Sequence, residues 1–123
     1  LCDVLVDSEH DMFYLAIENK SVKTSSTNKL YFSQHFSKSD EGHQVERISD
    51  FVDRSGRRGF LAVELKRGRG RSRQAYMVPW SSVREAYQQG DTGLHIDEIK
   101  EYPEILRDSE DYSIADLCMD MKI

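Results

Sequence analysis

Two short stretches carry residues that could do chemistry: Glu18-Asn19-Lys20, near the end of the apolar run 13–21, and Glu64-Leu65-Lys66, closing the run 60–66. In each, a carboxylate and an ammonium stand two residues apart, and the period-two alternation of a β-strand puts both on one face. Neither triplet is a site by itself. What separates a reactive pair from the charged end of a strand is a second acid held against the Glu. For Glu18 that acid is Asp3. A hairpin whose loop is centred between His10 and Asp11 opposes residues whose indices sum to 21, so Val6 faces Leu15, Val4 faces Ile17 and Asp3 faces Glu18.

Opposed side chains in an antiparallel pair lie about 4.5–5.5 Å apart at Cβ, and like charges there destabilise the sheet. Something positive belongs between Asp3 and Glu18. A hard divalent cation answers the need, because Mg²⁺ takes one or two carboxylates and keeps several waters. Lys20, one pleat further on the same face, could point at a phosphate or at water held by the metal. The same hairpin places Cys2 on the other face, with Val4 and Val6.

The second triplet lacks such a partner. Its nearest candidate acids, Asp50 and Asp53, lie in a helix expected after Glu41, off the stripe of Val45, Ile48, Phe51 and Val52, and so face solvent. Glu64 and Lys66 therefore read as the exposed end of a strand. Gln44 sits about 50° from the stripe centre, an inward-leaning amide. It could orient Lys20 or a water, or cap the helix.

These residues require elements to hold them. "CDVLV" and "FYLAIENKS" make the hairpin, "LYFSQHF" a short strand or edge, and residues from Glu41 to about Ser55-Gly56 a helix. "GFLAVEL" and "AYMVPW" are strands joined by "KRGRGRSRQ", and "SSVREAYQQG" is a helix with a capping box at Ser82 and Glu85 and a stop at Gly90. A last helix is expected around Ile114 to Met121. Strand, strand, helix, strand, strand, helix describes an α/β or α+β domain on a mixed sheet flanked by helices. The division expected is a core over 1–93 and an acidic extension over 94–123, packed on the core or at a dimer contact.

The chain has 123 residues and a net charge of −5, sized for one core. Charge is segregated. Between Arg54 and Arg73 stand eight bases (Arg54, Arg57, Arg58, Lys66, Arg67, Arg69, Arg71, Arg73) against Glu64, whereas eleven acids face four bases from Ser82 onward. A basic stretch of that density is a footprint for phosphates, and an acidic tail beyond about 8 Å does not erase it. Lys23, Arg57, Arg58, Arg67, Arg69, Arg71 and Arg73 are the candidate DNA contacts. No apolar run reaches the roughly 18 residues of a membrane helix, and no signal peptide is recognisable. Cys2 and Cys118, at opposite ends, form neither a disulfide framework nor a zinc site. A soluble, cytoplasmic protein is expected. The opening at Leu1, inside an apolar run, reads as the remainder of a longer chain.

An Asp on one strand, E-x-K on the next and Gln opening the following helix resemble the PD-(D/E)xK nuclease superfamily, and within it the archaeal Holliday junction resolvases of the Hjc and Hje type. The stretches that carry the resemblance are "CDVLV", "FYLAIENKS", "LYF", "HQVERISDFVDRSG" and "FLAVELK", within residues 2–80. It implies a restriction-endonuclease-like fold. Asp3 and Glu18 become metal ligands with the backbone carbonyl of Asn19, Lys20 the catalytic lysine and Gln44 an accessory residue. It further implies phosphodiester hydrolysis with Mg²⁺, for which Mn²⁺ substitutes, by a homodimer acting on four-way DNA junctions, with no nucleotide cofactor and no membrane. The setting it suggests is nucleoid-associated, archaeal or viral. The family's N-terminal acidic helix and basic Gly/Ser segment find no match here. The alternatives are a restriction- or repair-type duplex nuclease of the same fold, or a non-catalytic DNA-binding module that retains it.

Overall fold

A computed structural model describes residues 2–108 and 111–113. In chain order the elements are β1 (Val4–Val6), β2 (Leu15–Lys23), β3 (Lys29–Tyr31), β4 (Lys38–Ser39), β5 (Gly42–His43) and α1 (Gln44–Ser55). They continue with β6 (Arg58–Lys66), β7 (Gln74–Pro79), α2 (Trp80–Gln88), β8 (Gly93–His95), α3 (Ile96–Ile99), β9 (Leu106–Asp108) and β10 (Asp111–Ser113). The fold is α+β. The main sheet among the described residues runs β1-β2-β6-β7. β1 and β2 pair antiparallel, β2 and β6 parallel, and β6 and β7 antiparallel. The parallel step follows from the connection: β2 and β6 are joined through α1, a crossover, whereas the other neighbours are joined by loops.

Alternation along β2, β6 and β7 supplies two apolar faces. Val22, Leu61, Val63, Leu65 and Val78 turn towards Val45 and Ile48 of α1 and Trp80 and Val83 of α2. Leu15, Ile17, Phe60 and Met77 turn the other way, where Phe13 and Ile105 pack on them. Ile105 arrives there because residues 103–105 run along the free edge of β7, with Met77 N–H donating to Pro103 O and Ile105 N–H to Ala75 O. The expected boundary at 93 falls inside β8, which pairs with β3, and Leu94, Ile96 and Ile99 join the core. The helix expected at 114–121 lies outside the described residues. Among the described residues no helix is long and apolar enough to cross a membrane.

Local expectations required correction in three places. α2 begins at Trp80, not at a Ser82 cap, and no side chain caps it. Pro79 ends β7 with φ fixed at −58°, and the indole that follows is pulled into the core at 2% exposure. On α1 the buried positions are Val45, Ile48 and Ser49, with Phe51 only half-buried. Ser49 is tolerated there because its hydroxyl donates to Val45 O and accepts from Trp80 Nε1, at 2.7 and 3.0 Å. The segment 30–36 supplies the short strand expected there, as the end of β3, after which Phe32 and Phe36 enter the core from a turn. Cys2 packs with the α1-side cluster and not with Val4 and Val6, because pairing starts at Val4 and the chain bends at Asp3.

Candidate active site

The hairpin register is Val4 with Ile17, Leu5 with Ala16 and Val6 with Leu15, the pairing the polar loop implied. The pairing stops at Val4, and Asp3 in the bend before it lies near enough for its charge to act on Glu18. Asp3 Oδ2 accepts the Asn19 N–H at 2.9 Å, which fastens this carboxylate where β1 ends. Within a strand a residue's C=O leaves by the same edge as its N–H, so the Asn19 carbonyl is directed to the edge where Asp3 sits.

Glu18 lies on the helix-covered face and is 3% exposed. Three side chains converge on it. Lys20 Nζ stands 3.2 Å from Glu18 Oε2, and Gln44 Nε2 donates to the same oxygen at 2.9 Å. Lys20 also donates to Gln44 Oε1 at 3.0 Å and lies 4.8 Å from the centre of the Phe36 ring. Gln44 thus ties the carboxylate to the ammonium, and its carbonyl accepts a further bond from Ser37 N–H at 3.1 Å.

The amide is held there by the start of α1. The cap is His43, not Gln44: Nδ1 of His43 accepts the Val45 N–H at 3.1 Å, Nε2 contacts Phe32 O at 2.7 Å, and Glu46 reaches back to His43 N–H at 3.1 Å. This reciprocal cap fixes the helix start, and with it the direction of Gln44. Ser37, Phe36 and His43 escaped the sequence reading. An H-x-x-E spacing was the available signal, but His is not among the usual capping residues.

Burial raises the Glu18 carboxyl above its ordinary range, against the opposing pull of the Lys20 ammonium. Asp3 adds to the rise through its own charge. The Cys2 thiol nearby is pushed up to about 11, by burial first and then by the Glu18 charge, so it stays protonated. Oε1 of Glu18 is buried and accepts no hydrogen bond. An unpaired buried carboxylate oxygen facing a second acid is a fit for a cation. Among the described residues no group of three or more His, Cys, Asp or Glu could hold a metal. Asp3, Glu18 and the Asn19 carbonyl offer only oxygen donors, a chemistry that would suit Mg²⁺ with its retained waters better than zinc.

No protein-family model matches this chain, and no curated protein does.

The second triplet turns the other way. Glu64 lies on the Phe60 and Ala62 side of β6 and pairs with Arg73 at 3.2 Å. Asp50 pairs with Arg54 at 3.1 Å, and Asp53 takes both nitrogens of Arg84 at 3.0 and 2.6 Å; both acids are exposed.

The candidate DNA contacts divide into two groups. Lys23, Arg67, Arg69, Arg71 and Arg73 line one open cleft of about 300 Å³ with Lys66. Arg57 and Arg58 are at the other end of β6, about 26 Å away over nine strand residues. Arg57 donates to Val6 O and Leu15 O, both at 3.1 Å, pairs with Asp7 at 2.7 Å and covers the Tyr14 ring. Arg58 donates to Met12 O at 3.0 Å and stacks near Phe60. These two arginines clamp the hairpin loop, and the structure does not bring them to the cleft.

Proposed function

We propose that this protein is a Mg²⁺-dependent endodeoxyribonuclease of the PD-(D/E)xK type, a homodimeric resolvase that hydrolyses phosphodiesters at four-way DNA junctions. The observation that carries the reading is the convergence of Lys20 and Gln44 on Glu18, a buried carboxylate with one unpaired oxygen opposite Asp3. A domain that only grips DNA gains nothing from opposed acids, which repel phosphates.

In this reading Asp3, Glu18 and the Asn19 carbonyl hold the metal, which when bound lowers the pKa of water and stabilises charge developing on the phosphoryl oxygens. The chain's own groups do the rest. Glu18 and Gln44 hold the Lys20 ammonium from two sides, so that its remaining N–H faces a phosphate oxygen without a search through rotamers. Asp3 fixes the Asn19 peptide. The basic cleft grips the backbone away from the reacting phosphate. A homodimer presents two such centres related by a two-fold axis, matching a junction with two strands to cut.

The test is strand scission of a four-way junction and of sequence-matched duplex by the purified protein, with Mg²⁺ or with EDTA. Mg²⁺-dependent cutting confined to the junction is expected. Equal cutting of duplex would assign a restriction- or repair-type nuclease, and binding without cutting a DNA-binding module.

A further inference from the structure

We propose that the cleft around the loop between β6 and β7 holds the phosphodiester backbone of duplex DNA on one side of the point marked by Glu18, no more than half a helical turn away. The open edge of β2 is the path between the two. This deepens the nuclease reading and rests on it for the location of the cut.

The cleft repeats, with the sign reversed, the argument that marks Asp3 and Glu18. Lys23 of β2 and Lys66 of β6 are register partners in the parallel pair, so two ammonium groups stand side by side on strands about 4.8 Å apart. Like charges so placed weaken a sheet. An anion between them removes the conflict. The loop adds Arg67, Arg69, Arg71 and Arg73, the last of them paired with Glu64 at 3.2 Å. Arg67 Nε is buried and has no acceptor, a donor without its partner. Gly68 and Gly70 hold φ of 101° and 82°, the left-handed region, which makes the tight turns of a loop whose four arginines all line the cleft. Arg67 and Arg71 also line a second cleft, with Leu65, Ile96, Asp97 and Lys100.

The path follows from where β1 stops. β1 pairs with Leu15, Ala16 and Ile17 only, so beyond Glu18 the outer edge of β2 carries no described strand. Ser21 and Lys23 are exposed along it, on the face of the sheet opposite Glu18, so the path passes around the edge, to which alternation directs the Ser21 N–H as it does the Asn19 N–H. From Glu18 to Lys23 is five residues, about 17 Å. Each strand of B-DNA presents a phosphate every 3.4 Å of axis, so this reach covers about five phosphates, half a turn.

Binding is measured by fluorescence anisotropy with a fluorescein-labelled 30-base-pair duplex in EDTA, where cleavage is silent. Arg67→Gln with Arg71→Gln should weaken binding at least tenfold and lower the slope of log K against log salt by about 2, near 0.9 for each phosphate that the protein no longer neutralises. Should that pair of changes unfold the protein, Lys23→Gln with Arg69→Gln, both on exposed residues, makes the same prediction. Phosphate ethylation of a four-way junction, bound in EDTA, should interfere in one cluster for each cut, within half a turn on one side of it. Unchanged affinity and slope in a folded variant would overturn the proposal. So would interference on both sides of the cut, or displacement of the duplex by single-stranded RNA tenfold better than by unlabelled duplex. Loss of binding by the variants in a protein that cuts nothing would sink the nuclease reading and leave the cleft. Undiminished binding and cutting by the variants would do the reverse.

Discussion

Replacing Gln44 by Ala removes the one side chain that touches both charges of the site. Three hydrogen bonds go: Nε2 to Glu18 Oε2 at 2.9 Å, Lys20 Nζ to Oε1 at 3.0 Å, and Ser37 N–H to Oε1 at 3.1 Å. Two of these involve a charged partner, contributing about 1.5–3 kcal/mol each, and the third is neutral, about 0.5–1.5 kcal/mol. Unreplaced, they would amount to about 4–7 kcal/mol. Gln44 is half-buried, so water takes over part of the vacated bonding, and a net loss of about 2–3 kcal/mol is expected, near 10 °C in melting temperature for a domain of this size. Helix propensity works slightly the other way, Ala being the better residue by a few tenths of a kcal/mol. The assay is urea unfolding followed by the fluorescence of Trp80, with equal slopes in both proteins. A loss below about 0.5 kcal/mol would show that the amide is not seated between Glu18 and Lys20, since surface changes fall in that range.

Other outcomes follow from the same contacts. The Glu18 carboxyl is raised by burial; the unfolded chain therefore ionises first as pH rises, and the contribution of this group to stability is full below the ordinary carboxylate value and lost as pH climbs to the raised one. Glu18→Gln in EDTA should accordingly gain on the wild type as pH rises from the ordinary carboxylate range in unfolding titrations; a difference that moves the other way refutes the assignment. Ser49→Ala strands the Trp80 indole N–H in the core, costing about 1–3 kcal/mol by chemical denaturation, and a neutral result would mean that water reaches the indole. Arg57→Ala should destabilise the protein by a similar amount through the loss of its bonds to Val6 O, Leu15 O and Asp7. Its affinity for DNA should remain that of the wild type, and a selective loss of affinity would return Arg57 to the interface.

The parts of this arrangement that were legible in the sequence are those set by period and register. A polar six-residue loop between two apolar runs left one hairpin pairing, Val4 with Ile17 to Val6 with Leu15, and Asp3 just before it bonds to Asn19 beside Glu18; the 100° step of a helix turned Gln44 inward and Asp50 and Asp53 outward. What the sequence could not convey was distance between ends. Arg57 and Arg58 count with Arg67 and Arg73 in a linear tally of charge, yet a nine-residue strand separates them. Nor does a pattern show which polar residue a core will accept: Ser49 is buried because Trp80, thirty-one positions on, needs its oxygen. The pairing of β3 with β8 joins segments more than sixty residues apart and left no local mark.

The central claim is that the triplet on β2, and not its near copy on β6, works with Asp3. Single-turnover cleavage of a labelled four-way junction in Mg²⁺, run side by side for the wild type, Asp3→Asn, Glu18→Gln and Glu64→Gln, tests it most directly. Cutting by the wild type and by Glu64→Gln at comparable rates, with loss of at least a hundredfold in the other two and no loss of junction binding, is the expected result. Undiminished cutting by Glu18→Gln, or its loss in Glu64→Gln, would contradict the account.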